Sequence, residues 1–209
     1  SHRVSSEIDR TIQLGERPRA VLVGIQLPGT DESEHQASLA ELSRLVDTLG
    51  FDVVASVSQK RPSLAGPAGL GEGKLKELAV FTGGTGVVPS GAQKKIQKKD
   101  LRKESESADE DEEDNDDDET PAEAMEPSKD VPKATVVVVD NELTPSQIRN
   151  LERACGIEVL DRAGVIIEIF HRHARTREAQ LQVEIARMQY EAPRLREKEH
   201  TGDRQRGGG

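Results

Sequence analysis

The chain has 209 residues, 33% of them hydrophobic and 33% charged, with a formal net charge of −10 at pH 7. Residues 94–130 hold seven Lys or Arg and sixteen Asp or Glu, so this one stretch carries −9 of the charge; the rest is nearly neutral and long enough for one ordinary domain, too short for two well-buried cores. No apolar run approaches the roughly 18 residues of a membrane span, the single cysteine excludes an internal disulfide, a CxxC pair and a cysteine-rich zinc site, and four aromatics in all argue against a sheet that reads RNA by base stacking.

The start, Ser1-His2-Arg3-Val4, has no apolar stretch of a secretory signal, so a soluble, cytoplasmic protein is expected. Residues 1–19 read as an N-terminal extension. Ala20 to Ile25 is a short apolar run closed by Pro28 and Gly29, the pattern of a strand buried on both faces. Leu39, Leu42, Leu45, Val46 and Leu49 then fall on one helical stripe, with Gly50 suited to the left-handed residue after a helix end. Phe51 to Val57 makes a second strand, and the β-α-β order favours a parallel pair.

From Thr82 to Lys133 the logic breaks. A basic stretch (Lys94, Lys95, Lys98, Lys99, Arg102, Lys103) precedes twelve acidic residues between Glu104 and Glu119, and a Pro-rich segment follows to Pro132. Such a run cannot bury enough apolar surface to offset the entropy of ordering it, so a disordered acidic insertion is expected over about 82–133. An acidic arm that competes for basic surfaces is the sharper alternative.

The pattern resumes at Val136 to Val139, a third strand. Thr144-Pro145-Ser146-Gln147 is a helix start with a capping box and a proline at the first helical position. Ile148, Leu151 and Ala154 face inward, Gly156 stops the helix, and Ile157 to Leu160 is a fourth strand. Val165 to Phe170 is expected to be a short helix covering the sheet. The sum is an α/β domain over 20–175 with a small parallel sheet of about four strands. From 176 to 209, Leu181, Ile185, Met188, Ala192 and Leu195 recur at coiled-coil spacing with charged flanks, and Pro193 predicts a kink or an early end. The missing second helix, the absence of an initial Met and the Gly-rich end suggest a piece of a longer protein.

Four groups of residues come into question for function. Gly69, Gly71, Gly73 and Lys74 resemble a phosphate loop, but Ala68 stands where the Walker A motif needs its first Gly and Leu75 where it needs Ser or Thr; weak nucleotide binding at the start of a helix is the alternative to a plain turn. His171 and His173 lie two apart, on opposite sides of a helix, and cannot share a metal there. Cys155, behind an apolar helix, reads as buried packing. No catalytic motif and no metal site is expected. Arg194, Arg196, Lys198, Arg204 and Arg206 on the final arm suit phosphate contact, since guanidinium binds two oxygens at once.

The run Val139-Asp140-Asn141-Glu142-Leu143-Thr144-Pro145-Ser146-Gln147, with Arg149-Asn150-Leu151-Glu152, Glu158-Val159-Leu160-Asp161-Arg162, Ala174-Arg175-Thr176-Arg177-Glu178-Ala179 and Leu181-Gln182-Val183-Glu184, resembles the N-terminal domain of the HflX family of ribosome-associated GTPases. The resemblance covers most of 20–209 outside the insertion. It implies a parallel α/β subdomain followed by one long helix of a truncated antiparallel helical hairpin, and a GTPase domain, with GTP and Mg, beyond Gly209. It also implies that the arm binds the rRNA of the large ribosomal subunit, with splitting or rescue of ribosomes by the whole protein and no catalysis or cofactor in this chain. Here Glu72 replaces the first lysine of the family's Gly-Lys-Gly-Lys loop, and the Trp usual near the hairpin tip is absent. Two other readings stay open: a regulatory module binding nucleotide at Gly69 to Lys74, and an interaction scaffold with an acidic arm.

Overall fold

A computed structural model describes Thr11, residues 14–89 and residues 133–202, of the last six the backbone alone. Among these residues, four strands form one sheet: β1 (Arg19–Gln26), β2 (Asp52–Lys60), β3 (Val136–Val139) and β4 (Glu158–Asp161). The order is β2-β1-β3-β4 and every pair is parallel. Five helices accompany them: α1 (Glu32–Thr48), α2 (Glu72–Thr82), α3 (Pro145–Cys155), α4 (Arg162–His173) and α5 (Arg177–Gly202).

Period-two alternation divides the strand side chains between two cores. Val21, Val23, Ile25, Val137, Val139 and Val159 point to one face, where α2 supplies Leu75 and Leu78 and α3 supplies Ile148, Leu151 and Ala154. Ala20, Leu22, Val136, Val138 and Leu160 point to the other, against Leu39, Leu42 and Val46 of α1 and Val165 of α4. The expected four-stranded parallel sheet is therefore present, covered on both sides, which explains why β3 reads as four valines with no exposed member. β2, an edge strand, is longer than its apolar run suggested and leaves most of its residues partly or fully exposed.

Local signals are met in detail. Thr144 accepts from the Gln147 amide while the Gln147 side chain takes the Thr144 N–H, and Gly156 closes α3 at φ 73°. α1 starts with a second capping box, Asp31 and Glu34, that the sequence reading passed over. The segment Val165 to Phe170 lies inside the longer α4, whose N-cap is Asp161.

Two expectations need correction. The domain does not release the chain at Thr82. The Gly86 N–H donates to the Ala154 carbonyl at 2.9 Å and Val88 is buried, so the ordered fold extends at least that far; the polar, Gly-rich composition of 83–86 concealed close packing against the end of α3. The expected insertion otherwise lies outside the described residues. Of the kink or early end expected at Pro193, the early end does not occur: α5 runs through the proline to Gly202, although the proline cannot donate a backbone hydrogen bond within it.

Candidate functional site

The glycine loop sits at the end of the sheet where the strands deliver their C-termini. Gly69 takes φ +76°, and a Cβ there would come within 2.9 Å of Leu143 Cδ2, so glycine is required for both conformation and fit. The chain leading to it is pinned from α3: Gln147 Nε2 donates to the carbonyls of Leu64 (2.6 Å) and Gly66 (3.1 Å), and Asn150 Nδ2 to that of Pro67 (2.8 Å). Gly71 is the N-cap of α2 and has no side chain to cap with; its own N–H donates to Gln59 Oε1 at 3.0 Å. Lys74 turns along its helix to Glu77, with Nζ 2.7 Å from Oε2. Gly73 has no neighbour within 4 Å of a built Cβ. The four residues do come together in one turn, but the Gly71 amide and the Lys74 ammonium are already engaged by the protein. An anion would have to displace Glu77 and would meet Glu72 beside it.

A doubly wound sheet ordinarily takes a ligand where strand order reverses, here between the C-termini of β1 and β3. In this chain side chains fill the place. Asn141 Oδ1 accepts from the Ile25 N–H at 2.7 Å and its Nδ2 donates to the Ile25 carbonyl at 2.8 Å, continuing the β1–β3 ladder with a carboxamide. Beside it Asp140 accepts from Arg162 (2.9 Å) and from the Ser38 hydroxyl (2.6 Å), and Arg162 reaches Glu41 at 3.4 Å. The buried His35 closes the β1–β2 side, its Nε2 2.8 Å from Ser58 Oγ, and a Cβ on Gly24 would lie 2.7 Å from its ring.

Cys155 is buried, as expected. Burial pushes its thiol up to about 12, with a hydrogen bond to Thr82 working the other way. At pH 8 only about one chain in ten thousand would carry the thiolate, the reactive form. Ellman's reagent at that pH is therefore expected to spare Cys155 in the native chain for hours and to titrate one thiol after denaturation. Prompt stoichiometric labelling of the native chain would contradict this. His171 and His173 are exposed at the end of α4, and among the described residues no group of His, Cys, Asp or Glu could hold a metal. No described helix is long and apolar enough to cross a membrane.

The arm, α5, packs its inner side on α3 and α4. Leu181, Ile185, Met188 and Leu195, four of the five residues of the apolar seam, are each more than half exposed. Of the five cations expected to meet phosphate, Arg196 is exposed. Arg194 is not free: Nη2 lies 2.9 Å from Asp161 Oδ2, with both side chains largely buried. The Lys198 side chain, Arg204 and Arg206 lie outside the described residues. Sequence reasoning missed Asp161 and Tyr190, the partners of Arg194; the signal available was a lone tyrosine one helical turn before an arginine on the side opposite the seam.

Residues 36–107 and 122–171 match the family described as GTP-binding GTPase N-terminal, and residues 173–209 the one described as GTP-binding GTPase Middle Region. The first match passes over 108–121, which holds most of the acidic run. The chain belongs to the HflX family. GTPase HflX of Gluconacetobacter diazotrophicus is 56% identical over 196 residues, which is 92% of this chain and 40% of the relative. GTPase HflX of Alkalihalophilus pseudofirmus is 32% identical over 188 residues, covering 90% of the chain and 33% of the relative. The chain thus spans two fifths or less of the length of these HflX relatives. The crystal structure of an SsGBP mutation variant has the same fold, with a TM-score of 0.50 and 18% identity over 87% of this chain and 41% of that one.

Proposed function

We propose that this chain is the N-terminal and middle part of a GTPase, that its arm binds the rRNA of the large ribosomal subunit, and that the whole protein acts there to split or rescue ribosomes. GTP and Mg belong, on this reading, to a GTPase domain of the same protein beyond Gly209, which is also an intramolecular partner, and the present chain hydrolyses nothing. The observation that carries the reading is the arm itself: a 26-residue helix, about 39 Å long at 1.5 Å per residue, which keeps an uncovered apolar stripe and leads toward Arg196, Lys198, Arg204 and Arg206. A second helix of the same chain would cover the stripe, leaving the basic tip to meet phosphate. The alternative of a nucleotide module at Gly69 to Lys74 has less support, since Gly71 and Lys74 are engaged within the protein.

Co-sedimentation of the full-length protein with purified large subunits across a salt series tests this. Affinity is expected to fall with a log-log slope of roughly −0.7 to −0.9 per phosphate contact, and the double substitution Arg204→Ala and Arg206→Ala to make the slope shallower by about one to two units. The 209-residue chain should show no GTP hydrolysis above buffer. Absence of binding at low salt, or a slope indifferent to the double substitution, would remove the arm from the account.

A further inference from the structure

We infer that Asp161 is a positioning residue: through Tyr190 and Arg194 it fixes the direction in which α5 leaves the α/β domain, so that Arg194 serves arm placement and not phosphate contact. The consequence for binding rests on the ribosomal reading above; the geometry does not.

Asp161 ends β4 and caps α4, its Oδ1 accepting from the Gly164 N–H at 2.9 Å. The same oxygen accepts from the Tyr190 hydroxyl at 2.7 Å, and Oδ2 accepts from Arg194 Nη2 at 2.9 Å. Tyr190 and Arg194 are four apart on one face of α5, and the guanidinium stacks 3.5 Å from the centre of the tyrosine ring. Asp161 is only 5% exposed, so its charge depends on these donors in place of water. Burial raises the Tyr190 pKa, with Arg194 opposing and Asp161 adding to the rise, which keeps the hydroxyl a donor.

The fit is close. A Cβ on Gly164 would stand 2.3 Å from the Tyr190 oxygen and 2.8 Å from Cζ, so the ring lies directly on the first turn of α4. Pro193, between the two anchors, supplies no N–H to the carbonyl of Gln189. Where the backbone ladder of α5 is interrupted, the side-chain latch to Asp161 sets the course of everything beyond it, including Arg196. An Arg194 turned toward phosphate would leave the Asp161 carboxylate buried without its counter-charge.

The two roles of Arg194 predict opposite signs. A phosphate ligand lost as Arg194→Ala makes the salt slope shallower by about one unit, and Asp161→Asn, which removes a negative charge and frees the arginine, tightens RNA binding. A lost latch weakens binding in both variants with the slope unchanged. If the loosened arm adopts the productive direction about a tenth of the time, the apparent Kd rises roughly ten-fold. Gly164→Ala is expected to do the same by wedging Tyr190 away, although alanine is the better helix former. Tyr190→Phe, which removes only the hydroxyl, serves if the wedge prevents folding.

The experiment pairs the salt series, on full-length protein and purified large subunits, with pulsed electron spin distances between labels at Ala40→Cys and Arg196→Cys in the 209-residue chain, the buried Cys155 staying unlabelled. A narrow distribution that broadens in Arg194→Ala, Asp161→Asn and Gly164→Ala or Tyr190→Phe, with weaker binding at constant slope, is the expected result. Tighter binding by Asp161→Asn, a shallower slope in Arg194→Ala, or distances unmoved by these variants would overturn the inference. If the unsubstituted full-length protein fails to bind subunits, the ribosomal reading falls, while the distances still decide the latch.

Discussion

Gly84→Ala is expected to destabilise the domain by about 2–3 kcal/mol, the upper range for overpacking, and to lower the melting temperature by about 4–12 °C for a domain of this size. A Cβ at this position would lie 2.3 Å from both the Ala154 oxygen and the Cys155 carbonyl carbon, and 2.4 Å from the Cys155 oxygen. These are backbone atoms at the end of α3, and backbone cannot swing aside as a flexible side chain can. Two residues on, the Gly86 N–H satisfies the Ala154 carbonyl, one of the acceptors that a helix end leaves without a partner. The substitution therefore forces apart the segment that seals α3 and draws Val88 into the core. Thermal denaturation followed by circular dichroism measures the effect, and a loss below about 0.5 kcal/mol, the range for surface changes, would show that 83–88 is not packed as described.

The second large effect is expected at Arg162→Ala, at about 2–3 kcal/mol. Asp140 directly follows β3, its side chain 10% exposed, and Oδ1 accepts from both Arg162 Nε (3.1 Å) and Nη2 (2.9 Å). Removing one member of a buried pair strands the other charge, which costs about 3–5 kcal/mol when burial is complete; Arg162 is 29% exposed, so the cost is expected to fall below that range. The same guanidinium donates to the carbonyl of Ser38 at 3.2 Å, tying α1, β3 and α4 together at one point. Denaturant unfolding of the single variants and of Arg162→Ala with Asp140→Ala closes a double-mutant cycle. The double variant is expected to be more stable than Arg162→Ala alone; a double variant that loses the sum of both would show the two residues to act independently.

The parts of this fold that were legible in the sequence are those decided within a few residues. The valine run of β3, the stripe of α1 and the Thr144 to Gln147 box report local periodicity and local hydrogen bonds, and each stands where those patterns put it. What was not legible depends on partners far along the chain. Nothing near Gly84 announces the backbone of Cys155, and a segment rich in glycine and threonine reads as loop whether or not it is packed. Arg194 reads as a phosphate contact because Arg196, Lys198, Arg204 and Arg206 follow it on the same arm; its partner, Asp161, stands 33 residues away. Asn141 likewise gave no sign that its carboxamide would extend a ladder with Ile25, 116 residues distant. In sequence the glycine loop reads as a turn or a weak nucleotide site, because Gln59 and Glu77, which occupy Gly71 and Lys74, form no motif with them.

The position of β1 has a consequence for how the protein is made. β1 pairs with β2 on one side and β3 on the other, and between Lys60 and Val136 lie 75 residues. At about 5–20 residues per second, a nascent chain would wait roughly 4–15 s after completing β2 before β3 emerges. Throughout that interval the edge from Ala20 to Val23, fully covered in the finished domain, offers unpaired amides and carbonyls beside apolar side chains, the form of strand most prone to join a stranger. The order of synthesis thus gives this domain a window in which early shielding of one strand edge governs its yield, before any of its own interactions can do so.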